Sequence, residues 1–227
     1  MKRTVLTFVV LLIVCASAFA QKKSRDASAS LYGGSNFRSE GRVGFEKRFT
    51  PAFGAAVEMP VTDRVAMIGS VNHDLSPKID TAASTTTGIV GALVRIAQQG
   101  TATFYVGTGV EVLSTNGEKY NKRETGINSF GQVRVVSKRA TLRITAGGRW
   151  HSFASTDVPY ASASKYVGVN FELGYMATRH VEVIGGLDIK AVRYHVPPNI
   201  VAANIGSGVK GGIFGGIRFH FDIPKGN

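Results

Sequence analysis

From Ser30 onward the chain alternates apolar and polar residues with a period of two rather than with helical spacing. The last segment is the plainest case. Between Gly212 and Ile223, the residues Ile213, Gly215, Ile217, Phe219, Phe221 and Ile223 fall on one face of an extended chain, opposite Phe214, Gly216, Arg218, His220 and Asp222. The same division recurs at 165–176, where Val167, Val169, Phe171, Leu173 and Tyr175 oppose Tyr166, Gly168, Asn170, Glu172 and Gly174. At 141–152 Leu142, Ile144, Ala146 and Trp150 oppose Arg143, Thr145, Gly147, Arg149 and His151. Segments of this kind predict strands near 28–37, 52–59, 64–74, 88–97, 103–113, 128–137, 141–153, 165–176, 180–195 and 207–223. Ten strands are therefore expected, with eight as the alternative. Residues 41–49 alternate too, and either extend the second strand past Pro51 or form a separate hairpin arm, since proline does not donate to a ladder.

Strand length decides between two kinds of all-β protein. Strands of a soluble sandwich commonly run about 5 to 6 residues, whereas about 9 to 11 are needed to cross a bilayer on a tilt. The segments here are of the longer kind. Their connections alternate between short ones (60–63, 98–102, 137–140, 177–179) and long ones (76–86, 114–127, 154–164, 197–207). Both features predict an antiparallel transmembrane β-barrel with short periplasmic turns and long extracellular loops, and an even strand count puts both ends of the chain at the short-turn side.

Residues 1–20 read MKRTVLTFVVLLIVCASAFA: two basic residues, an apolar run from Val5 to Val14, then small residues ending Ala18-Phe19-Ala20. These are the three parts of a secretory signal peptide, expected to be cleaved after Ala20 so that residues 21–227 form the barrel domain. An uncleaved anchor is the competing reading, but the apolar run falls short of the roughly 20 residues a spanning helix needs. Lipidation of Cys15 is disfavoured by Val14 before it. That single cysteine also removes a disulfide framework and a cysteine-based metal site.

The leader, the turn Met59-Pro60-Val61-Thr62-Asp63-Arg64 and the final Gly-Gly-Ile-Phe-Gly-Gly-Ile-Arg-Phe-His-Phe together resemble the small outer-membrane β-barrel families of Gram-negative bacteria, the OmpA/OmpW-like group. The resemblance implies location in the cell outer membrane, contact with outer-membrane lipids, and delivery by the barrel assembly machinery. In such families a terminal phenylalanine is the assembly signal, which Phe219 and Phe221 look like, although here the chain continues to Asn227.

The chain carries a net charge of +12 and 27 glycines. If polar faces point inward, parity gathers Arg95, Arg134, Arg143, Arg149, Lys190 and Arg218 in the lumen against Glu58, Glu111, Glu172, Glu182, Asp188 and Asp222. The two sets balance, so the expected lumen is plugged by ion pairs, because small barrels fill their interiors with side chains. A charge-lined, porin-like channel for small solutes is the alternative. A soluble exported sandwich or lipocalin-like binder, or a lipid-modifying barrel enzyme, ranks lower. His151 and Ser152 are adjacent and so face opposite ways, and no catalytic, cofactor or metal residue is assigned. Nucleotide and nucleic-acid binding are not expected: no Gly-Lys-Ser/Thr loop or basic cluster with interleaved aromatics is present. Function is expected instead in the long loops, where Lys119, Lys122 and Arg123 between Ser114 and Ile127 offer a slightly basic surface to an unidentified extracellular ligand or to lipid phosphates.

Overall fold

The computed structural model describes residues 26–40, 50–75, 82–117, 121–156, 164–194 and 207–222. They form ten strands: β1 (Asp26–Glu40), β2 (Thr50–Pro60), β3 (Val65–Leu75), β4 (Ala82–Gln99), β5 (Ala102–Gly117), β6 (Asn121–Val136), β7 (Ala140–Thr156), β8 (Ser164–Met176), β9 (Val181–Tyr194) and β10 (Ser207–Asp222). Each pairs antiparallel with its neighbours in sequence, and β1 closes on β10. Closure leaves no strand edge, so the backbone polar groups of the wall are paired within it. The expected leader and residues 41–49 lie outside the described residues.

The distribution of side chains is inverted relative to a water-soluble protein. Leu31 on β1, Val57 and Met59 on β2, Val90 on β4, Leu173 on β8 and Ile213 on β10 are exposed on the outside, Leu173 to 64% and Val90 to 65%. The residues buried most completely are charged and point inward: Glu111, Glu124, Arg149 and Glu182. Only a few apolar side chains, among them Leu93 and Ile184, are buried with them. An outer wall this apolar is unfavourable in water and matches hydrocarbon. The period-two reading of the strands is thus the division between an oily outside and a polar inside.

The short connections have legible local causes. In the turn after β2, the Thr62 hydroxyl accepts from the backbone N–H of Arg64 (3.2 Å) and Val65 (3.0 Å). After β8, Thr178 does the same for His180 (3.3 Å) and Val181 (3.1 Å). A threonine hydroxyl that captures the backbone two and three residues on stabilises a tight reversal. Between β4 and β5 the two-residue connection uses Gly100 at φ +57°, a conformation that a Cβ disfavours.

Two expectations are corrected. Residues 114–117 and 121–127 are strand rather than loop: β5 and β6 stay paired as far as Asn116 and Asn121, which places Lys122 and Arg123 in β6 and leaves Lys119 outside the described residues. Alternation simply continues upward, through Glu124, Gly126 and Asn128 on the face of Phe130, Gln132 and Arg134. The second correction is a bulge. On β6, Ile127 pairs with His151 and Asn128 with Arg149, so Trp150 of β7 is an extra residue. Strict parity along β7 fails there: the backbone of His151, expected on the inner face, is set opposite Ile127, which is exposed on the outside.

Inward aromatic rings are seated between glycines. In the hydrogen-bonded register Tyr32 lies between Gly54 and Gly216, Phe214 between Gly34 and Gly186, and Phe130 between Gly107 and Gly147. A Cβ on Gly107 would meet the Phe130 ring itself. Each ring thus lies over a glycine of one flanking strand, Phe130 over Gly107, Phe214 over Gly186 and Tyr32 over Gly54, which accounts for inward glycine at those positions.

Candidate functional site

The lumen holds the chemistry of this barrel, and it is arranged in two clusters with a cavity. Near the turn end, Arg134 on β6 donates to Glu58 on β2 at 2.8 and 3.0 Å, and Arg143 on β7 reaches the same carboxylate at 3.3 Å. Strand β2 lies four strands from β6 and five from β7 around the wall. These pairs therefore cross the lumen rather than run along its side. The ring of Tyr105 lies under the Arg134 guanidinium, 4.9 Å from centroid to Cζ, and Gln132 accepts another of its hydrogen bonds at 3.0 Å.

The same cluster continues around the wall. Arg143 Nε lies 3.5 Å from Glu172, its register partner on β8. Arg218 on β10 donates to Glu172 at 2.8 Å, to Glu182 on β9 at 3.0 Å and to the Ser30 hydroxyl on β1 at 3.0 Å. Glu182, with no exposed surface, also meets the Nε2 of His220 at 3.0 Å and accepts from the Thr141 hydroxyl. Three arginines and three glutamates so arranged are mutually compensated, which is the condition for burying charge at all.

Higher in the barrel, Arg149 donates to Glu124 at 3.0 Å and stands 3.6 Å from Glu111. Glu111 further accepts from the Asn128 amide at 3.0 Å and from the Tyr166 hydroxyl. Lys190 pairs with Asp188 at 3.0 Å and lies over the Tyr166 ring, 5.4 Å from its centroid. Between these groups and the cross-lumen pairs is a cavity of about 430 Å³, bounded among others by Tyr32, Asn72, Asn170, Asp188, Phe214 and Arg143.

Of the twelve charges assigned to the lumen by parity, the structure brings ten into these contacts. Two stand apart. Asp222 pairs with Arg179 at 3.0 Å at the turn end, where both side chains are mostly exposed, because β10 stops there. Arg95 contacts Gln98 at 3.5 Å and makes no ion pair among the described residues. Sequence reasoning missed Glu124 because it began the strand at 128; following the alternation four residues back toward the N-terminus finds it. Phe219 and Phe221 sit on the outer face of β10, partly exposed. Arg123 is exposed near the loop end of β6.

No family model matches the chain, and no curated protein matches it by sequence. Among solved structures it is similar to the outer membrane protease OmpT from Escherichia coli, with a TM-score of 0.52 and 12% identity, covering 91% of this chain and 100% of that one. It is more distantly similar to Neisserial surface protein A, with a TM-score of 0.44 and 11% identity over 88% of this chain and 100% of that one. Ail, the attachment invasion locus protein of Yersinia pestis, has a TM-score of 0.38 and 10% identity over 88% of this chain and 100% of that one. At these identities the likeness is one of fold.

Proposed function

We propose that the chain is an integral protein of the Gram-negative outer membrane, a closed scaffold that does not conduct and that makes its contacts through its loop end. The observation that carries this reading is the pair of cross-lumen ion pairs from Glu58 to Arg134 and Arg143, supported on the wall by Arg218, Glu172 and Glu182. An ion following the axis would have to displace side chains that hold one another by charge-assisted hydrogen bonds. Placement in the outer membrane is supported by the apolar outer wall, by strands of 11 to 18 residues and by the fold likeness to an outer membrane protease. Surrounding outer-membrane lipids and the barrel assembly machinery are then its partners, with Phe219 and Phe221 as the assembly signal.

The fold likeness to OmpT raises catalysis as a question. His220, the one histidine among the described residues that joins the lumen clusters, spends its Nε2 on Glu182, whose carboxylate is also engaged by Arg218 and Thr141. A carboxylate so occupied supports the histidine structurally rather than as the base of a nucleophile, so a non-enzymatic role is the reading taken. Planar-bilayer recording of the refolded chain tests the proposal. No sustained conductance is expected; stable unitary channels would overturn it in favour of a small-solute channel, a reading that the central cavity favours.

A further inference from the structure

We propose that the lumen cavity is a binding site for one small, neutral, hydroxyl-rich molecule, with a single sugar ring as the fitting chemistry. The cavity of about 430 Å³ lies within the range of about 300 to 1,000 Å³ typical of small-molecule sites. Its charged lining is already spoken for. Glu58 holds Arg134 and Arg143, Glu172 holds Arg218, Asp188 holds Lys190, and Asp74 accepts from the Asn36 amide. A charged ligand would have to break one of these pairs or be buried without a counter-ion, and both are unfavourable.

Apart from the Arg143 Nε, which makes no hydrogen bond among the described residues but lies 3.5 Å from the Glu172 carboxylate, the hydrogen-bonding capacity left over is neutral. Asn72 accepts from the Tyr32 hydroxyl at 2.6 Å through its Oδ1, which leaves its amide N–H groups to donate. Ser70 and Thr87 beside it, and Asn170 across the lumen, line the cavity and make no side-chain hydrogen bond among the described residues. Asn72 and Thr87 are register partners on β3 and β4, and Ser70 shares the inner face of β3. Asn170 is on β8, five strands from β3 in either direction, so donors and acceptors face each other from opposite walls.

Apolar surface completes the site. The rings of Tyr32 and Phe214 pack at 5.8 Å with a 55° tilt, and Phe130 lines the cavity as well. Hydroxyl and carboxamide groups on opposed walls with aromatic faces between them suit a molecule with a hydroxylated rim and apolar C–H faces. Access to the site is from the loop end, which rests on the proposed closure of the turn end by the cross-lumen ion pairs.

The test titrates the full chain, refolded in a zwitterionic detergent free of sugar head groups, by calorimetry. The probes are glucose and galactose, with glucuronate and glucosamine as charged equivalents and cyclohexanol as a ring stripped of all but one hydroxyl. At least one neutral hexose is expected to bind, about tenfold or more tighter than the charged and stripped rings. Asn170→Leu and Ser70→Ala are each expected to weaken it by several-fold, with heat-modifiable gel migration confirming that the barrel has closed. Absence of any preference for a neutral hexose overturns the proposal, as does unchanged binding in both closed variants. Titration is independent of conductance, so a barrel that conducts yet binds sugar would sink the closed-scaffold reading alone.

Discussion

Arg218 on β10 holds Glu172 on β8 through a single nitrogen, Nη2, which lies 2.8 Å from both carboxylate oxygens and reaches past the intervening strand β9. Glu182 on β9 takes the other terminal nitrogen at 3.0 Å. One guanidinium thereby ties three consecutive staves of the wall together from within.

Removal of that guanidinium leaves two buried carboxylates without their main counter-charge. Arg218→Met is expected to destabilise the barrel by about 3 to 5 kcal/mol, the usual consequence of breaking a buried pair from one side. Arg179→Met, which breaks only the exposed pair with Asp222, should have a much smaller effect. Urea titrations of folding into lipid vesicles measure both, and equal losses would contradict the buried network.

Face assignment is testable in adjacent residues. Val169 belongs to the outer row of β8 and Asn170 to its inner row, near the middle of the strand. Val169→Arg is expected to impair vesicle insertion by about 2 to 4 kcal/mol, as arginine does at the bilayer midplane. Asn170→Arg, placed in the polar lumen, should cost clearly less, and an identical pair of effects would argue for a water-soluble fold.

Seating of Phe130 against Gly107 predicts a non-additive pair. Gly107→Ala places a methyl group against the Phe130 ring, so it should slow or weaken folding by an overpacking penalty of about 1 to 3 kcal/mol. In a Phe130→Leu background the same alanine should be better tolerated. A double-mutant cycle read by vesicle refolding would show a coupling near zero if the ring and the glycine were not in contact.

Cations near the loop end give a salt-dependent prediction. Replacement of Lys119, Lys122 and Arg123 by glutamine is expected to lower binding to vesicles carrying anionic lipid phosphates at low salt. The difference should fade as ionic strength rises, because the screening length falls to about 8 Å at physiological salt. Binding that is unchanged at low salt returns these residues to a purely solvating role.

All ten strands were legible in the alternation, and so was the inward direction of Glu58, Arg134, Glu172 and Arg218, because a period of two is a local property of the chain. What escaped was non-local. The extra residue at Trp150 leaves no mark in the hydrophobic pattern and is visible only as a change of partners on β6. That Glu58 meets Arg134 and Arg143, rather than a neighbour on β1 or β3, depends on the diameter and register of the closed wall. The abundance of glycine is plain in the sequence, but the aromatic residues seated against it emerge only from the register, which pairs Phe130 with Gly107 and Gly147, and Phe214 with Gly34 and Gly186.

Tyr32 and Phe214 impose a condition on how the molecule is finished. Along the seam that joins the two ends of the chain, Tyr32 of β1 faces Gly216 of β10 while Phe214 of β10 faces Gly34 of β1. A slip of one residue would turn every side chain of the seam to the wrong face. A slip of two would set Tyr32 against Phe214 or Arg218, two large groups where there is space for one. Joining distant segments is the entropically demanding step of barrel formation, and it is also the step at which an error would be sealed in. Pairing each large residue with a glycine in both directions penalises a seam joined two residues out of step, so side-chain size specifies the register here in addition to the polar and apolar faces.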